Sequence, residues 1–278
     1  MTNVITFIEW ALKRAKKSSV PKGAILPIDI SLVGSECEAE YLWGTSGRKV
    51  TQSLLDSKYK SHYKANGWTV AEYKAATKGW VEAGKMVSDC QGLLDWFMGK
   101  DTNANGNYVK YCTDKGLCSA IDRPYVIGEA VFMGSSTKKT HVGWVCGFMP
   151  DGDPLTIEER GLSHGCVISR MSKRSWKYRG LMTKQFSYEN ATEQTKPKGF
   201  VFTRKLKFGC VGDDVIELKK LLIKEGYTKG ITVNTSSSKN FRASTEKLVR
   251  AYQSDECLEV DGIAGKQTIT ALGGIWKG

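Results

Sequence analysis

The stretch Val87-Ser88-Asp89-Cys90-Gln91-Gly92-Leu93-Leu94-Asp95-Trp96-Phe97 places a cysteine directly before an apolar run with helical spacing. Asp89 is the predicted N-cap of this helix, with Cys90 in its first turn. A helix N-terminus stabilises a thiolate, and the Cys90 N–H is also placed to help form an oxyanion hole. The alternative is a buried structural cysteine, which this stretch favours when it is taken alone.

A second stretch, Thr140-His141-Val142-Gly143-Trp144-Val145-Cys146, is predicted to form a strand that begins near His141. A histidine on a strand can take the proton of a thiol on a helix N-terminus and later give it to the leaving amine. A lone histidine at a strand start is usually structural. The chain has only 3 histidines, however, so the choice of base is narrow and we predict His141.

A third stretch, Leu155-Thr156-Ile157-Glu158-Glu159-Arg160-Gly161, is another short strand candidate. A polar residue here can hold the imidazole in the tautomer that accepts the thiol proton. We predict Glu158 for this role, because strand alternation lets it face the same site as His141 while Glu159 faces away. His164 is the competing candidate.

These motifs, with Tyr41-Leu42-Trp43-Gly44-Thr45-Ser46-Gly47 before them, resemble the NlpC-type and CHAP-type papain-like cysteine hydrolases of peptidoglycan. The resemblance covers roughly residues 35–180 and includes the pattern Gly-x-x-Val-Phe that ends at Phe132. It implies a papain-like fold with Cys90, His141 and Glu158 as the catalytic residues. Many NlpC-type enzymes have a second histidine as the third residue, whereas CHAP-type relatives also use a glutamate, so the subfamily and the bond that is cut stay open.

Tyr41, Trp43 and Asp89 are the predicted substrate contacts, since Tyr41 and Trp43 can line a groove near Cys90. Core packing is the alternative, and for Trp43 the two interpretations are equally supported. Residues 48–86 form a polar, helix-like insert with interspersed aromatic residues. It either forms one wall of the cleft or is a peripheral helical layer.

The last part of the chain has its own signature, in which Gly209 and Gly212-Asp213-Asp214 lead into an amphipathic helix. Tyr252-Gln253 and Val260-Asp261-Gly262-Ile263-Ala264-Gly265-Lys266-Gln267-Thr268 follow later. Over about residues 204–273 this pattern resembles the small three-helix peptidoglycan-binding domain of wall hydrolases. A generic helical bundle would not explain both elements together.

The fold class predicted from these patterns is α+β. We expect a papain-like domain at residues 1–185, with helices packed on an antiparallel sheet, and a small all-α domain at residues 204–278. Residues 186–203 are polar and are predicted to form a linker. Asp101, Asn103, Asn105 and Gly106 match the start of a calcium-binding loop, but Cys112 stands at the twelfth position, where a glutamate belongs. We therefore predict an Asn/Gly-rich turn there.

Composition limits the classes of partner. The net charge of +12 suits an anionic wall, and the spread of the charge without a basic aromatic patch argues against a nucleic-acid partner. The 8 cysteines form no C-x-x-C pair, and we expect free thiols, no metal and no cofactor. No apolar run is long enough to span a bilayer, so we expect no membrane insertion.

Met1 to Lys17 carries its positive charge after its apolar residues, which predicts a first helix of the fold and not a signal peptide. We therefore expect a monomeric, phage-type endolysin that resides in the host cytoplasm before lysis and then acts on the wall. The resemblance predicts cleavage of an amide in the peptidoglycan stem peptide, such as D-glutamyl to diamino acid. The alternatives are an N-acetylmuramoyl-L-alanine amidase of the same fold and an inactive wall-binding adaptor.

Overall fold

Six strands in the second half of the first unit form the main sheet of the computed structural model, which describes residues 1–189, 191, 200–228 and 238–278. In chain order they are β5 (Thr113–Leu117), β6 (Ala130–Gly134), β7 (Lys139–Phe148), β8 (Pro154–Glu159), β9 (Cys166–Arg170) and β10 (Tyr178–Leu181). Their spatial order is β5-β10-β6-β7-β8-β9, and β6–β7 and β8–β9 are antiparallel neighbours. His141 on β7 and Glu158 on β8 therefore lie on adjacent strands.

Helices cover this sheet and supply much of its core. The first unit contains α1 (Val4–Leu12), α2 (Gln52–Lys58), α3 (Val70–Ala76), α4 (Gly92–Met98) and the single turn α5 (Ala104–Gly106). Phe7 of α1 is fully buried, with its ring 5.1 Å from Trp144 of β7 and 5.3 Å from Phe97 of α4. Aromatic side chains thus pack the helix that follows Cys90 and the strand of His141 around the same ring.

A smaller three-stranded sheet contains the start of the tyrosine stretch and the strand that leads into Cys90 and α4. It consists of β2 (Glu40–Tyr41), β3 (Arg48–Lys49) and β4 (Met86–Ser88), with β4 in the middle. Tyr41 lies opposite Ser88 in parallel register, so the tyrosine stretch is directly beside the residues that lead into Cys90.

The insert at residues 48–86 packs around its own aromatic core. Its buried members include Leu55, Tyr63, Tyr73 and Trp80, and they share a cluster with Leu42, which follows β2, and Val87 of β4. The aromatic residues whose spacing looked helix-like in the sequence lie on a π-helical turn at Tyr59–Tyr63, on α3, and in the segments between and after them. The insert thereby supports the strands that position the cysteine.

The predicted linker, residues 186–203, is structured at both ends. β11 (Phe186–Ser187) pairs in parallel with β1 (Thr2–Asn3), and Phe186 is buried. At the other end β12 (Val201–Phe202) pairs with β13 (Ile275–Trp276). Residues 190 and 192–199 of this segment lie outside the described residues.

The second unit contains most of the C-terminal residues, with two short segments, Lys22–Ile25 and Phe148–Asp153. Its described residues form the helices α6 (Asp213–Lys224), α7 (Ala243–Asp255) and α8 (Lys266–Ala271), and the strand pair β12–β13 accompanies them. Leu218, Leu222, Val249 and Tyr252 are fully buried in its core. The α+β fold class is confirmed, and none of the helices within the described ranges is long and apolar enough to cross a membrane.

Candidate active site

Asp89 fixes the junction between β4 and α4. Its Oδ1 accepts the Gly92 N–H at 2.6 Å, and its Oδ2 accepts the Gly44 N–H at 2.8 Å. The carboxylate thus caps the helix and ties it to the tyrosine stretch. The regular helix begins at Gly92, so Cys90 lies in the turn just before the helix and not in its first turn. Asp89 was predicted to contact substrate, but both of its oxygens are engaged by backbone N–H groups, although the residue does border the cleft.

Gly92 explains why this turn can lie so close to the tyrosine stretch. A Cβ at this position would stand 1.9 Å from the Thr45 carbonyl oxygen. The same oxygen accepts the Asp89 N–H at 2.9 Å. The glycine in Asp-Cys-x-Gly therefore permits a backbone contact between the two motifs.

The Cys90 thiol is partly buried and accepts hydrogen bonds from two backbone N–H groups. The Val142 N–H, one residue after His141, and the Gln91 N–H both donate hydrogen bonds to its sulfur. Burial is the largest influence and raises the pKa of the thiol to about 12, with the Asp89 charge adding to it and the two N–H donors opposing it. The expected thiolate stabilisation by the helix end is outweighed, so Cys90 at rest is a neutral thiol that needs a base.

His141 and Glu158 form a direct pair across the adjacent strands. His141 Nε2 lies 2.7 Å from Glu158 Oε2, and the glutamate side chain is 0% exposed. Because this contact occupies Nε2, Nδ1 is the imidazole nitrogen left to accept a proton. Burial by itself raises the pKa of the Glu158 carboxyl, but hydrogen bonds and charges from His141 and Arg174 lower it below its usual value.

The other two histidines lie elsewhere. His164 is exposed in the turn between β8 and β9, and burial with the nearby Arg160 and Arg174 charges lowers its pKa. His62 belongs to the insert and stacks flat on Trp43, with ring centroids 4.1 Å apart. Of the two residues considered for contact with His141, Glu158 and His164, Glu158 makes the hydrogen bond in this structure.

A cleft of about 730 Å³ opens beside the cysteine. Tyr41, Trp43 and Cys90 line it on one side, and Thr102, Asn105 and Thr140 are among its other lining residues. Trp43 is 42% exposed, whereas Tyr41 is largely buried, and burial with the nearby Cys90 and Asp89 charges raises the pKa of its phenol. Both predicted aromatic contacts therefore border the cleft, and Trp43 offers the larger free surface.

The segment with calcium-loop spacing forms another wall of this cleft. Asn103 Oδ1 accepts the Gly106 N–H at 2.8 Å, and Asn105 Oδ1 accepts the Lys139 N–H at 3.0 Å. The two amide oxygens that would coordinate an ion hold the backbone instead. This is the bonding of an Asn/Gly turn, which the sequence favoured.

Two residues that contact the His141–Glu158 pair were missed by sequence reasoning. Arg174 donates from Nε to Glu158 Oε1 at 2.6 Å and from Nη2 to Oε2 at 2.7 Å. Trp176 stacks on His141 with ring centroids 5.6 Å apart and an interplanar angle of 11°. The one signal was Gly143, two residues after His141 on the same strand face, where a Cβ would stand 2.9 Å from the Trp176 ring.

In the second unit, Gln253 of the Tyr-Gln pair is hydrogen-bonded to the segment that contains Asp261, Gly262 and Thr268. Gln253 is buried, donates from Nε2 to Asp261 Oδ1 at 2.8 Å and to Thr268 Oγ1 at 3.1 Å, and accepts the Gly262 N–H at 2.9 Å. Tyr252 beside it is fully buried. The two halves of the signature are therefore joined by one glutamine side chain.

Part of this unit matches a known family of domains. Residues 211–272 match the family model described as "Putative peptidoglycan binding domain". The match supports a peptidoglycan-binding domain in the C-terminal part of the chain. It also supports peptidoglycan as a ligand and a role related to the cell wall.

No curated protein sequence matches the chain. One solved structure, a periplasmic domain of the EpsAB fusion protein of the Vibrio vulnificus type II secretion system, is 13% identical and covers 65% of this chain and 75% of that one. Its TM-score of 0.28 is too low to carry a structural argument.

Proposed function

We propose that this protein is a cysteine peptidoglycan hydrolase, with Cys90 as nucleophile, His141 as base and acid, and Glu158 as the residue that orients His141. The observation that carries the proposal is the His141–Glu158 hydrogen bond on strands next to the cysteine: the N–H of Val142, the residue after His141, donates to the Cys90 sulfur, and Cys90 lines a large cleft. A peptidoglycan-binding domain on the same chain supplies the substrate class.

In the first half-reaction His141 Nδ1 takes the Cys90 proton as the sulfur bonds to the carbonyl carbon of the scissile amide. The Cys90 N–H is the donor that we assign to the developing oxyanion. When the intermediate collapses, the C–N bond breaks and His141 gives its proton to the leaving amine. The product on the enzyme is a thioester.

In the second half-reaction water replaces the amine. His141 takes a proton from the water as its oxygen bonds to the acyl carbon, the C–S bond breaks, and the proton returns to the sulfur. The raised pKa of the Cys90 thiol means that proton transfer accompanies attack, because a resting thiolate is disfavoured in this buried position.

The bond that we propose is an amide within the stem peptide, such as D-glutamyl to diamino acid, and the biological setting is a phage endolysin. In that setting the protein accumulates in the host cytoplasm and reaches the wall at lysis. An amidase that cuts between muramic acid and L-alanine would use the same three residues in the same roles.

Digestion of purified Gram-positive peptidoglycan tests the proposal, with products identified by mass spectrometry and Cys90→Ser as the matched inactive variant. A new amine inside the stem peptide identifies an endopeptidase, and intact stem peptides freed from glycan identify an amidase. Lysis by the Cys90→Ser protein equal to that by the wild type would rule out the thiol mechanism.

A specific observation favours a second candidate, a wall-binding adaptor without catalytic activity. The Cys90 thiol is buried enough to hold its pKa near 12, which is a property of structural cysteines as well. Equal wall binding by the wild type and Cys90→Ser, with no products from any wall, would establish the adaptor.

A further inference from the structure

Glu158 is a fully buried carboxylate between two partners. His141 Nε2 approaches Oε2 from β7, while Arg174 grips both oxygens through Nε and Nη2. Arg174 follows the 3-10 turn Met171–Lys173 and is itself largely buried. The fork of a guanidinium matches a carboxylate in this way only when both lie in one plane.

We propose that Arg174 is a positioning residue that selects the proton arrangement of His141 by keeping Glu158 ionised. The inference rests on the proposed function, since it assigns Arg174 a part in the same reaction. Arg174 is hydrogen-bonded to Glu158 and is not among the residues that line the cleft, so we assign it an action through Glu158.

The argument starts from the cost of burying a lone carboxylate. Without a cation, a carboxyl group at this depth takes up a proton. A protonated Glu158 would donate its O–H to Nε2, and the imidazole proton would then reside on Nδ1. Nδ1 could not accept the Cys90 proton in that tautomer, and the base would be blocked.

With Arg174 in place, Glu158 accepts on both oxygens. It therefore takes the Nε2 proton of His141 as a hydrogen bond, and the Nδ1 lone pair is directed away from Glu158. This arrangement leaves Nδ1 as the proton-accepting nitrogen of the imidazole.

Two other groups interact electrostatically with Glu158: His164 from the turn before β9 and Cys166 from β9. Arg160 adds a positive charge near His164. None of these three forms the planar two-bond contact that Arg174 makes.

The test compares Arg174→Met and Arg174→Lys in the full chain by the pH profile of kcat/KM on purified peptidoglycan. Removing the cation raises the pKa of the Glu158 carboxyl, so the acidic limb of Arg174→Met should move up by about 1–3 pH units. Its rate should recover partly at high pH. Arg174→Lys keeps a charge and should leave the limb near that of the wild type.

A second readout does not need turnover. The two-bond ¹⁵N–¹H NMR pattern of His141 reports its tautomer, and His62→Gln and His164→Gln variants assign the 3 histidine signals. The wild type should show the Nε2–H form, and Arg174→Met should lose it in the same pH range. If no wall is cut, the proposed function fails, while this spectrum still decides the role of Arg174.

Near-UV circular dichroism confirms that each variant is folded. The proposal is overturned if Arg174→Met slows the reaction by one factor at every pH, or if it leaves the His141 tautomer and its titration unchanged. Either result would give Arg174 a purely structural role.

Discussion

Substitution of Gly92 by alanine tests how the nucleophile turn is held. The added Cβ would stand 1.9 Å from Thr45 O, whereas ordinary contact begins at 3.4 Å, so helix and loop must separate by about 1.5 Å. That movement breaks the hydrogen bond from the Asp89 N–H to the same oxygen. Relieving the overpacking costs about 1–3 kcal/mol, and the lost hydrogen bond adds about 0.5–1.5 kcal/mol.

Helix propensity works in the opposite direction. Alanine is favoured over glycine in a helix by up to about 1 kcal/mol, and α4 begins at this residue. The net expectation for Gly92→Ala is a loss of about 1–3 kcal/mol of stability, or a fall of about 3–10 °C in Tm. Wall digestion should fall further, because the same displacement moves the turn that carries Cys90.

Tryptophan fluorescence is a suitable assay, since all of the 8 tryptophans except Trp276 precede residue 190 and report on the first unit. Gly116→Ala is the matched control, because a Cβ there meets no atom within 4 Å. It should stay within about 0.5 kcal/mol of the wild type. If Gly92→Ala melts at or above the temperature of the control, the gain in helix propensity exceeds the cost of the added Cβ, and the contact between Gly92 and the Thr45 carbonyl is not tight.

Three further outcomes are expected. Burial raises the pKa of the Glu159 carboxyl well above 4.5. The protein therefore keeps its full stability below about pH 4.5, and its free energy of unfolding falls by up to about 1.4 kcal/mol per pH unit as the pH rises toward the folded-state pKa of this carboxyl. Urea unfolding at pH 5 and pH 8 should therefore show a smaller loss for Glu159→Gln than for the wild type, and parallel losses would contradict this. Glu158→Gln should lower kcat by about 10²–10⁴-fold while wall binding persists, whereas His164→Ala should change kcat little. The reverse pattern in steady-state kinetics would assign the orienting role to His164. Trp43→Ala removes an exposed aromatic face and should raise KM about three- to tenfold with kcat nearly unchanged, and an unaltered KM would show that substrate does not reach this side of the cleft.

Local patterns in the sequence located most of the site. The apolar run after Cys90 predicted a helix, and α4 occupies Gly92–Met98 with Gly99 in a left-handed conformation after it. The strands of His141 and Glu158 were also predicted, because their apolar runs are short and bounded by turn residues. Alternation along β8 placed Glu158 toward His141 and Glu159 toward Ser88, to which it is hydrogen-bonded.

The residues that surround the His141–Glu158 pair could not be predicted from local sequence patterns. Arg174 meets Glu158 across 16 positions, and Ser88 meets Glu159 across 71, and no local period encodes such a contact. Asp89 was predicted both as the N-cap and as a substrate contact, and its carboxylate makes the capping hydrogen bonds of the turn. Capping and substrate contact demand the same residue type, so sequence alone does not separate them.

The order of elements, the identity of the candidate nucleophile and base, and the peptidoglycan-binding signature were all determined by the sequence, because each depends on residues near one another in the chain. The protonation state of the site was decided only by the tertiary structure. A helix N-terminus predicts an acidic thiol, yet burial raises the pKa of Cys90 to about 12. Burial also favours a neutral Glu158, yet Arg174 and His141 keep it ionised. Charge in a protein interior depends on every group packed around it, and those groups come together only when the chain folds.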